Sequence, residues 1–360
     1  MKIAIDITPV SRDKAGVGYM TYSLVEALTE LDKNNEYELL TNDKDFTFAA
    51  ILPRNFKITI IESNKPGTAW MLKSRNYLIK NKFSLLISTS YLLWSIIYSK
   101  TLQFVNDIAP VKYPQFFTKR GSIYYTIQLR LALNRAHKVV TISQAVLSEL
   151  LQINDKSNKE YIYLGVHKWT NLSKDKVYYQ EIIKKYNLPS KYLIYVSTLE
   201  PRKNHINTLK GFSILTKKYP EYKLVIVGKR GWFYDEIFKV VKDLNLQDLV
   251  ILTGYAPEED LPGLMDLSNG SIMMSFYEGF GLPIIESLSR GKCSLVSDIP
   301  VFKEITAGSS NVIFADPNNQ ISISEGLVKL INQEFLTKDI SFKTYTWANS
   351  AQKLLKIIQE

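Results

Sequence analysis

The sequence predicts an α/β protein of two domains, each a doubly wound parallel sheet, and three observations carry that prediction. Short apolar runs alternate with amphipathic stretches along the chain, the pattern of parallel strands covered on both faces by helices. The 360 residues exceed what one hydrophobic core usually organises. Several apolar runs lead straight into glycine or Asn-Asp, as strands do at the carboxyl edge of an open sheet, where such folds place their ligands.

The first domain is expected over residues 1–172. Lys2-Ile-Ala-Ile-Asp6 reads as its opening strand, followed by Ser11-Arg-Asp-Lys-Ala-Gly-Val-Gly18 and a helix from about Tyr19 to Leu31, apolar at Leu24, Val25, Ala27 and Leu28. Gly16 and Gly18 can bring backbone amides to a ligand, and a plain connecting loop accounts for them equally. Further strands read at Tyr37–Leu40, Lys57–Ile61, Leu85–Ile87, Leu102–Val105 and Lys138–Ile142. Asn106 and Asp107 follow a strand directly and are candidate ligand contacts, against the competing reading of an Asx turn ahead of Pro110. Between Ser122 and Ala136, Ile123, Ile127 and Leu131 recur at helical spacing with Arg130 and Arg135, and Arg120 lies just ahead. The expectation is a helix packed on the sheet through that stripe; the alternative is a helix lying on a membrane surface.

A polar stretch at Asn171–Lys174 and a helical Tyr178–Tyr186 lead to the strand Tyr192–Val196, so a second domain is expected over residues 173–345. Its first loop, Ser197-Thr-Leu-Glu-Pro-Arg-Lys-Asn204, places Arg202 and Lys203 between a strand and a helix near Ile206–Lys217. A planar fork and a mobile point charge together suit the oxygens of a diphosphate, while exposed loop charges remain the competing reading. Lys223-Leu-Val-Ile-Val-Gly228 and Leu249-Val-Ile-Leu-Thr-Gly-Tyr255 repeat the strand-to-glycine pattern. Gly254 and Tyr255 could wall a planar base or simply pack. Strands follow at Ser271–Phe276, Cys293–Ser297 and Val312–Ala315, then a final amphipathic helix from Trp347 to Ile358.

Tyr277-Glu-Gly-Phe-Gly-Leu-Pro-Ile-Ile-Glu286 sets Glu278 and Glu286 on either side of a glycine turn that opens a helix, with Pro283 at its start. Gly279 and Gly281 allow backbone N–H groups to approach a bound group, and the helix N-terminus adds roughly half a positive charge, a geometry suited to an anion. A tight turn whose glycines serve only the bend is the other reading.

Composition excludes several classes. No apolar run approaches the ~20 residues of a membrane span, and Met1 opens directly into a strand rather than a signal peptide, so a cytoplasmic protein is expected. The single cysteine, Cys293, rules out an intrachain disulfide and a cysteine metal cluster, and His137, His167 and His205 are too scattered to suggest a metal site. The formal charge of +10 suits anionic lipid surfaces or phosphorylated substrates, or is a lysine-rich solvated surface.

Taken together, Ser197–Asn204, Val227-Gly-Lys-Arg-Gly-Trp232, Leu252-Thr-Gly-Tyr-Ala-Pro-Glu-Glu-Asp-Leu261, Glu278–Glu286 and Ser297-Asp-Ile-Pro-Val-Phe-Lys-Glu304, in that order, resemble the retaining glycosyltransferases of the GT-B class, family 4. Ile5-Asp-Ile-Thr-Pro9, Gly16-Val-Gly18, Thr141-Ile-Ser143, Leu164-Gly-Val166 and Tyr345-Thr-Trp-Ala-Asn-Ser-Ala351 agree more loosely, so the resemblance covers nearly the full chain. It implies two Rossmann-like domains facing a cleft, with the last helix, residues 346–360, crossing back onto the first.

The resemblance also implies roles. Glu286 would bind the donor ribose, Glu278 the donor sugar, and the amides of Gly279, Phe280, Gly281 and Leu282 the sugar and phosphates. Arg202 and Lys203 would neutralise the diphosphate, with Gly16, Gly18, Thr198, Lys229 and Tyr255 on the donor side and Asn106 and Asp107 at the reacting centre. Family members commonly have His-Asp where this chain has Asn106-Asp107, and Asn can donate a hydrogen bond but carries no charge and shuttles no proton. Thr198 stands where many members have arginine. The implied activity is transfer of a hexose from a nucleotide diphosphate sugar to a glycan or polyprenyl-linked acceptor in surface polysaccharide (lipopolysaccharide) synthesis, with retention of configuration and without a divalent metal or other cofactor. The Glu-Pro-Arg-Lys-Asn loop looks most like mannosyltransferases, so GDP-mannose is the expected donor. Peripheral contact with the inner face of an anionic membrane is expected, and nucleic acid is not expected as a partner. A silent sugar-nucleotide-binding protein and a sugar-nucleotide epimerase on the same fold are the alternatives.

Overall fold

The computed structural model describes residues 1–12, 16–46, 48, 51–63, 67–156, 158–167, 175–333 and 344–359. The chain divides into two compact units, residues 1–165 with 344–360, and residues 166–343. The boundary expected at 172/173, with the polar stretch Asn171–Lys174, lies outside the described residues.

The first unit holds a seven-stranded sheet built from β1 (Lys2–Asp6), β2 (Glu36–Thr41), β3 (Phe56–Ile60), β4 (Leu85–Ser88), β5 (Thr101–Val105), β6 (Lys138–Thr141) and β7 (Lys159–Tyr161), in the order β3-β2-β1-β4-β5-β6-β7. Every pairing is parallel. Central strands such as β4 and β5 are buried along their whole length, which is why they read as unbroken apolar runs rather than alternating ones. β7 was not anticipated, because Lys-Glu-Tyr carries no apolar run; it is an edge strand whose register on β6 is set by Val139↔Lys159. Trp70, Trp94, Phe83 and Leu78 fill one face of the sheet, each such side chain contributing roughly 1.5–3 kcal/mol by leaving water. The helix Trp347–Gln359 packs on the helix Val17–Leu31, where Trp347 meets Tyr19 edge-on at 5.8 Å and Ser350 Oγ donates to the Tyr163 carbonyl at 2.6 Å.

The helix Lys119–Arg135 corrects the expected packing. It is buried through Ser122, Leu129, Ala132 and Leu133, while Ile123, Tyr124, Ile127 and Leu131 are 61%, 59%, 54% and 40% exposed. That buried face seats against the short helices Leu93–Ile97 and Ala109–Lys112, so the more conspicuous apolar stripe points the other way.

The second unit repeats the architecture with six strands: β8 (Tyr192–Val196), β9 (Lys223–Val227), β10 (Val250–Gly254), β11 (Ser271–Met273), β12 (Ser294–Ser297) and β13 (Val312–Ala315), ordered β10-β9-β8-β11-β12-β13 and all parallel. The strand order reverses between β8 and β11, and the crevice beyond the carboxyl ends at such a switch point is where open sheets bind ligands. β11 stops at Met273 rather than running to Phe276, because the next amides leave the ladder: Met274 N–H donates to Tyr195 Oη and Phe276 N–H to the Arg202 carbonyl.

Candidate active site

Two loops meet at the switch point of the second sheet. The loop after β8 makes a single 3₁₀ turn at Pro201–Lys203 and enters the helix His205–Thr216 through Asn204, whose left-handed backbone (φ 56°) reverses the chain. Asn204 is 2% exposed, and its side-chain amide donates to the Met274 carbonyl at 2.9 Å and the Pro317 carbonyl at 2.7 Å, pinning the loop to the end of β11. The same loop is stitched to the loop after β9: Leu199 N–H donates to the Lys229 carbonyl at 2.9 Å and Gly231 N–H to the Leu199 carbonyl at 3.0 Å. Thr198 and half-buried Lys229 are thereby brought side by side on adjacent loops.

The loop after β11 carries Glu278, with both oxygens engaged. Oε1 accepts from Lys203 Nζ at 2.5 Å and Ser275 Oγ at 2.6 Å; Oε2 accepts from Arg202 Nη1 at 2.9 Å. Arg202 also donates to the Tyr277 carbonyl at 2.8 Å and to Glu200 Oε1 at 2.7 Å. Burial opposes ionisation of Glu278, but the Lys203 and Arg202 charges outweigh it and hold the carboxyl down at about 2. Burial pushes the Lys203 ammonium down, as does neighbouring Arg202, while Glu278 and Glu200 pull it back. Two cations and two carboxylates thus form one buried, charge-balanced cluster. The resemblance gives Arg202 and Lys203 to phosphate and Glu278 to sugar as separate contacts; the fold makes them a single unit, with Glu278 the anchor of both cations.

Gly281 closes the turn. At φ 114° it adopts a backbone that side chains resist, and a Cβ there would stand 2.6 Å from the buried Phe302 ring. It caps the helix Leu282–Ser289 without a side-chain acceptor, and no acidic residue lies in the first turn, so the dipole at that N-terminus keeps its positive end. Gly279 and Phe280 are buried in the turn itself. Glu286, 3% exposed, lies on this helix in an environment opposite to that of Glu278. Burial first, and then the Glu258 charge, push its carboxyl up to about 8.

The remaining donor-side expectations lie on other elements of the two units. Tyr255 follows β10 at the sheet edge and is 60% exposed, two strands from β8. In the first unit Gly16 precedes the helix Val17–Leu31 at φ 55°, and Gly18, expected in the loop, lies buried in the first helical turn. That helix is fixed to the end of β4 by the Thr21 Oγ1–Thr89 Oγ1 hydrogen bond of 2.6 Å. Asn106 donates its side-chain amide to the Thr89 carbonyl at 2.9 Å, and its Oδ1 is buried without a hydrogen-bond partner among the described residues. Only one of the two amide N–H groups goes to Thr89, so Asn106 keeps a second N–H beside the acceptor Oδ1. Asp107 forms the Asx turn, accepting from Ala109 N–H at 3.0 Å.

Sequence reasoning missed Glu200, Ser275 and His167. Glu200 stands inside the same motif as Arg202 and was readable as a counter-charge. Ser275 and His167 carry no local signal, since their partners lie on other segments. Among the described residues no group of three or more His, Cys, Asp or Glu side chains is placed to hold a metal ion.

Residues 179–347 match the family model for glycosyl transferases group 1. The O-antigen chain mannosyltransferase B of Escherichia coli is 27% identical over 232 residues, spanning 64% of this chain and 60% of that protein. The sucrose-phosphate synthase of Thermosynechococcus elongatus superposes with a TM-score of 0.79 at 16% identity, over 100% of this chain and 98% of that one. Anabaena HepE in complex with UDP-glucose gives 0.72 at 17% identity, over 100% and 97%. These likenesses assign the fold to the GT-B class of two parallel-sheet α/β domains.

Proposed function

We propose that the protein is a retaining glycosyltransferase moving a hexose, mannose from GDP-mannose, onto a glycan or polyprenyl-linked acceptor of a bacterial surface polysaccharide, a reading supported by the match of residues 179–347 to the family model for glycosyl transferases group 1. The observation that carries the reading is the Arg202–Lys203–Glu278 cluster beside the glycine-capped Leu282–Ser289 helix, at the switch point of the second sheet.

A nucleoside diphosphate is a competent leaving group once its charge is neutralised. Lys203 Nζ carries three N–H donors and gives one to Glu278, leaving two for phosphate oxygens. Arg202 adds a guanidinium held rigid by Glu200, Glu278 and the Tyr277 carbonyl. Such fixed donors favour the state in which charge accumulates on the β-phosphate over the ground state. These cations and the helix dipole supply the neutralisation without a divalent metal. Retention has a phosphate oxygen take the acceptor proton on the face the nucleotide leaves, and Glu286 holds the donor ribose. The mannosyltransferase relative supports mannose as the sugar. The exposed stripe of the Lys119–Arg135 helix supports peripheral contact with an anionic membrane.

Incubation of the purified protein with GDP-mannose, UDP-hexoses and dTDP-sugars tests the proposal. Donor hydrolysis or transfer supports it. Binding without turnover points to a silent sugar-nucleotide-binding protein, and a new sugar isomer to an epimerase. A nucleotide at about 100 times its Kd should add ~2.7 kcal/mol of stability, and stabilisation by UDP or dTDP but not GDP would remove GDP-mannose as the donor.

A further inference from the structure

Glu278 and Glu286 flank one turn, yet only Glu278 is met by cations. Among the described residues Glu286 has no lysine or arginine partner, and its Oε1 accepts no hydrogen bond. What faces it is His167, from the segment that opens the second unit. The imidazole Nε2 lies 3.4 Å from Glu286 Oε1, and the His167 backbone hydrogen-bonds the same carboxyl. On its far side the ring turns Nδ1 toward Glu258, 3.9 Å from Oε2. Both central side chains are buried, His167 at 11% and Glu286 at 4% exposure, whereas the Glu258 side chain is 39% exposed. The helix of Glu286 packs on β11 and β12, neither of which contains an ionisable residue, so His167 and Glu258 are the groups that govern its proton.

We propose that His167 is a positioning residue for nucleotide recognition: its neutral imidazole holds the protonated carboxyl of Glu286 turned into the empty site and yields it when a ribose diol binds. The step balances simply. Glu286 O–H faces the Nε2 lone pair; the two ribose hydroxyls then donate to the carboxylate, and the carboxyl proton leaves to solvent. Burial holds the His167 imidazole down at about 3 and the Glu286 carboxyl up at about 8, which agrees with a neutral pair before binding. Nucleotide binding is then linked to release of a proton and strengthens as the pH rises toward 8.

The inference rests on Glu286 being the ribose ligand. Calorimetric titration of the full chain with GDP and UDP, each beside its 2′-deoxy analogue and in buffers of different ionisation enthalpy, separates the two claims. The wild type should prefer the ribonucleotide and release close to one proton near neutral pH. Above the wild-type midpoint, where the carboxyl is ionised in both, His167→Ala should bind about tenfold more weakly, the scale of one lost hydrogen bond, with less preference for the ribose hydroxyl, and its pH midpoint should be lower. His167→Gln, which keeps a polar atom near Nε2, should restore affinity. Glu258→Gln should lower the midpoint by removing the charge that holds the proton, and it gives the same reading if His167→Ala fails to fold. A wild type that ignores the 2′-hydroxyl overturns the ribose role of Glu286 and this inference with it. Normal ribose preference with an unchanged pH midpoint in His167→Ala and Glu258→Gln overturns the inference alone.

Discussion

Lys203 Nζ sits 2.5 Å from Glu278 Oε1, joining the loop after β8 to the loop after β11 across the point where the strand order of the second sheet reverses. The contact links two motifs 75 residues apart and gives Glu278 one of the two positive charges that keep it ionised in a buried setting. It also makes stability and the proposed catalysis depend on the same pair.

Lys203→Ala is expected to lower kcat by roughly 10²-fold or more, the scale of losing one preorganised oxyanion donor. It should also destabilise the second unit by about 3–5 kcal/mol, because Glu278 then keeps one cation of two in a buried site. The double substitution Lys203→Met with Glu278→Gln should regain much of the stability and none of the turnover. Steady-state kinetics with a thermal melt read both; normal turnover in Lys203→Ala would remove the lysine from the reaction.

Glu286→Gln should weaken nucleotide binding and yet stabilise the protein, increasingly so in base. Burial holds the folded carboxyl up at about 8, well above the ordinary glutamate range. A raised carboxyl contributes stability that is present below the unfolded pKa and is lost as the pH climbs through the folded one. Glutamine does not titrate, so the gap in Tm between variant and wild type should widen from about pH 5 to about pH 9. A gap that stays constant with pH would contradict the burial of a Glu286 without a cationic partner.

Asn106→Ala should reduce turnover about tenfold with little change in donor affinity, since one hydrogen-bond acceptor is removed. Asn106→Asp should be worse for folding, because a carboxylate oxygen would replace the amide donor against the Thr89 carbonyl. Full turnover in Asn106→Ala would take the residue out of the site.

The Lys119–Arg135 helix should bind vesicles containing phosphatidylglycerol at low salt and ignore purely phosphatidylcholine vesicles. Along its sequence Lys119, Arg120, Arg130 and Arg135 accompany the exposed Ile123, Tyr124, Ile127 and Leu131, with no acidic residue. Reversing one of these cations to Glu should cost about 1 kcal/mol or more in co-sedimentation, roughly fivefold in partition. Indifference of the wild type to anionic vesicles would dismiss the surface.

The sequence by itself determined the two sheets, because parallel strands buried on both faces must be written as apolar runs and the helices between them as amphipathic ones; β8 and β13 match their expected spans residue for residue. It also determined which loops carry chemistry, since glycines, Pro201, Pro283 and the charged residues around them mark local geometry. An edge strand without an apolar run, β7, left no such mark. Partner choice between distant segments belonged to the tertiary structure. Whether Ile123 or Leu129 faces inward depends on which face meets the neighbouring short helices, not on periodicity. Whether a glutamate is ionised depends on what lies across from it: Glu278 meets Lys203 and Arg202, and Glu286 meets His167. Two identical side chains eight positions apart therefore acquire opposite charge preferences, because electrostatic environment is a property of space around a residue and not of its place along the chain.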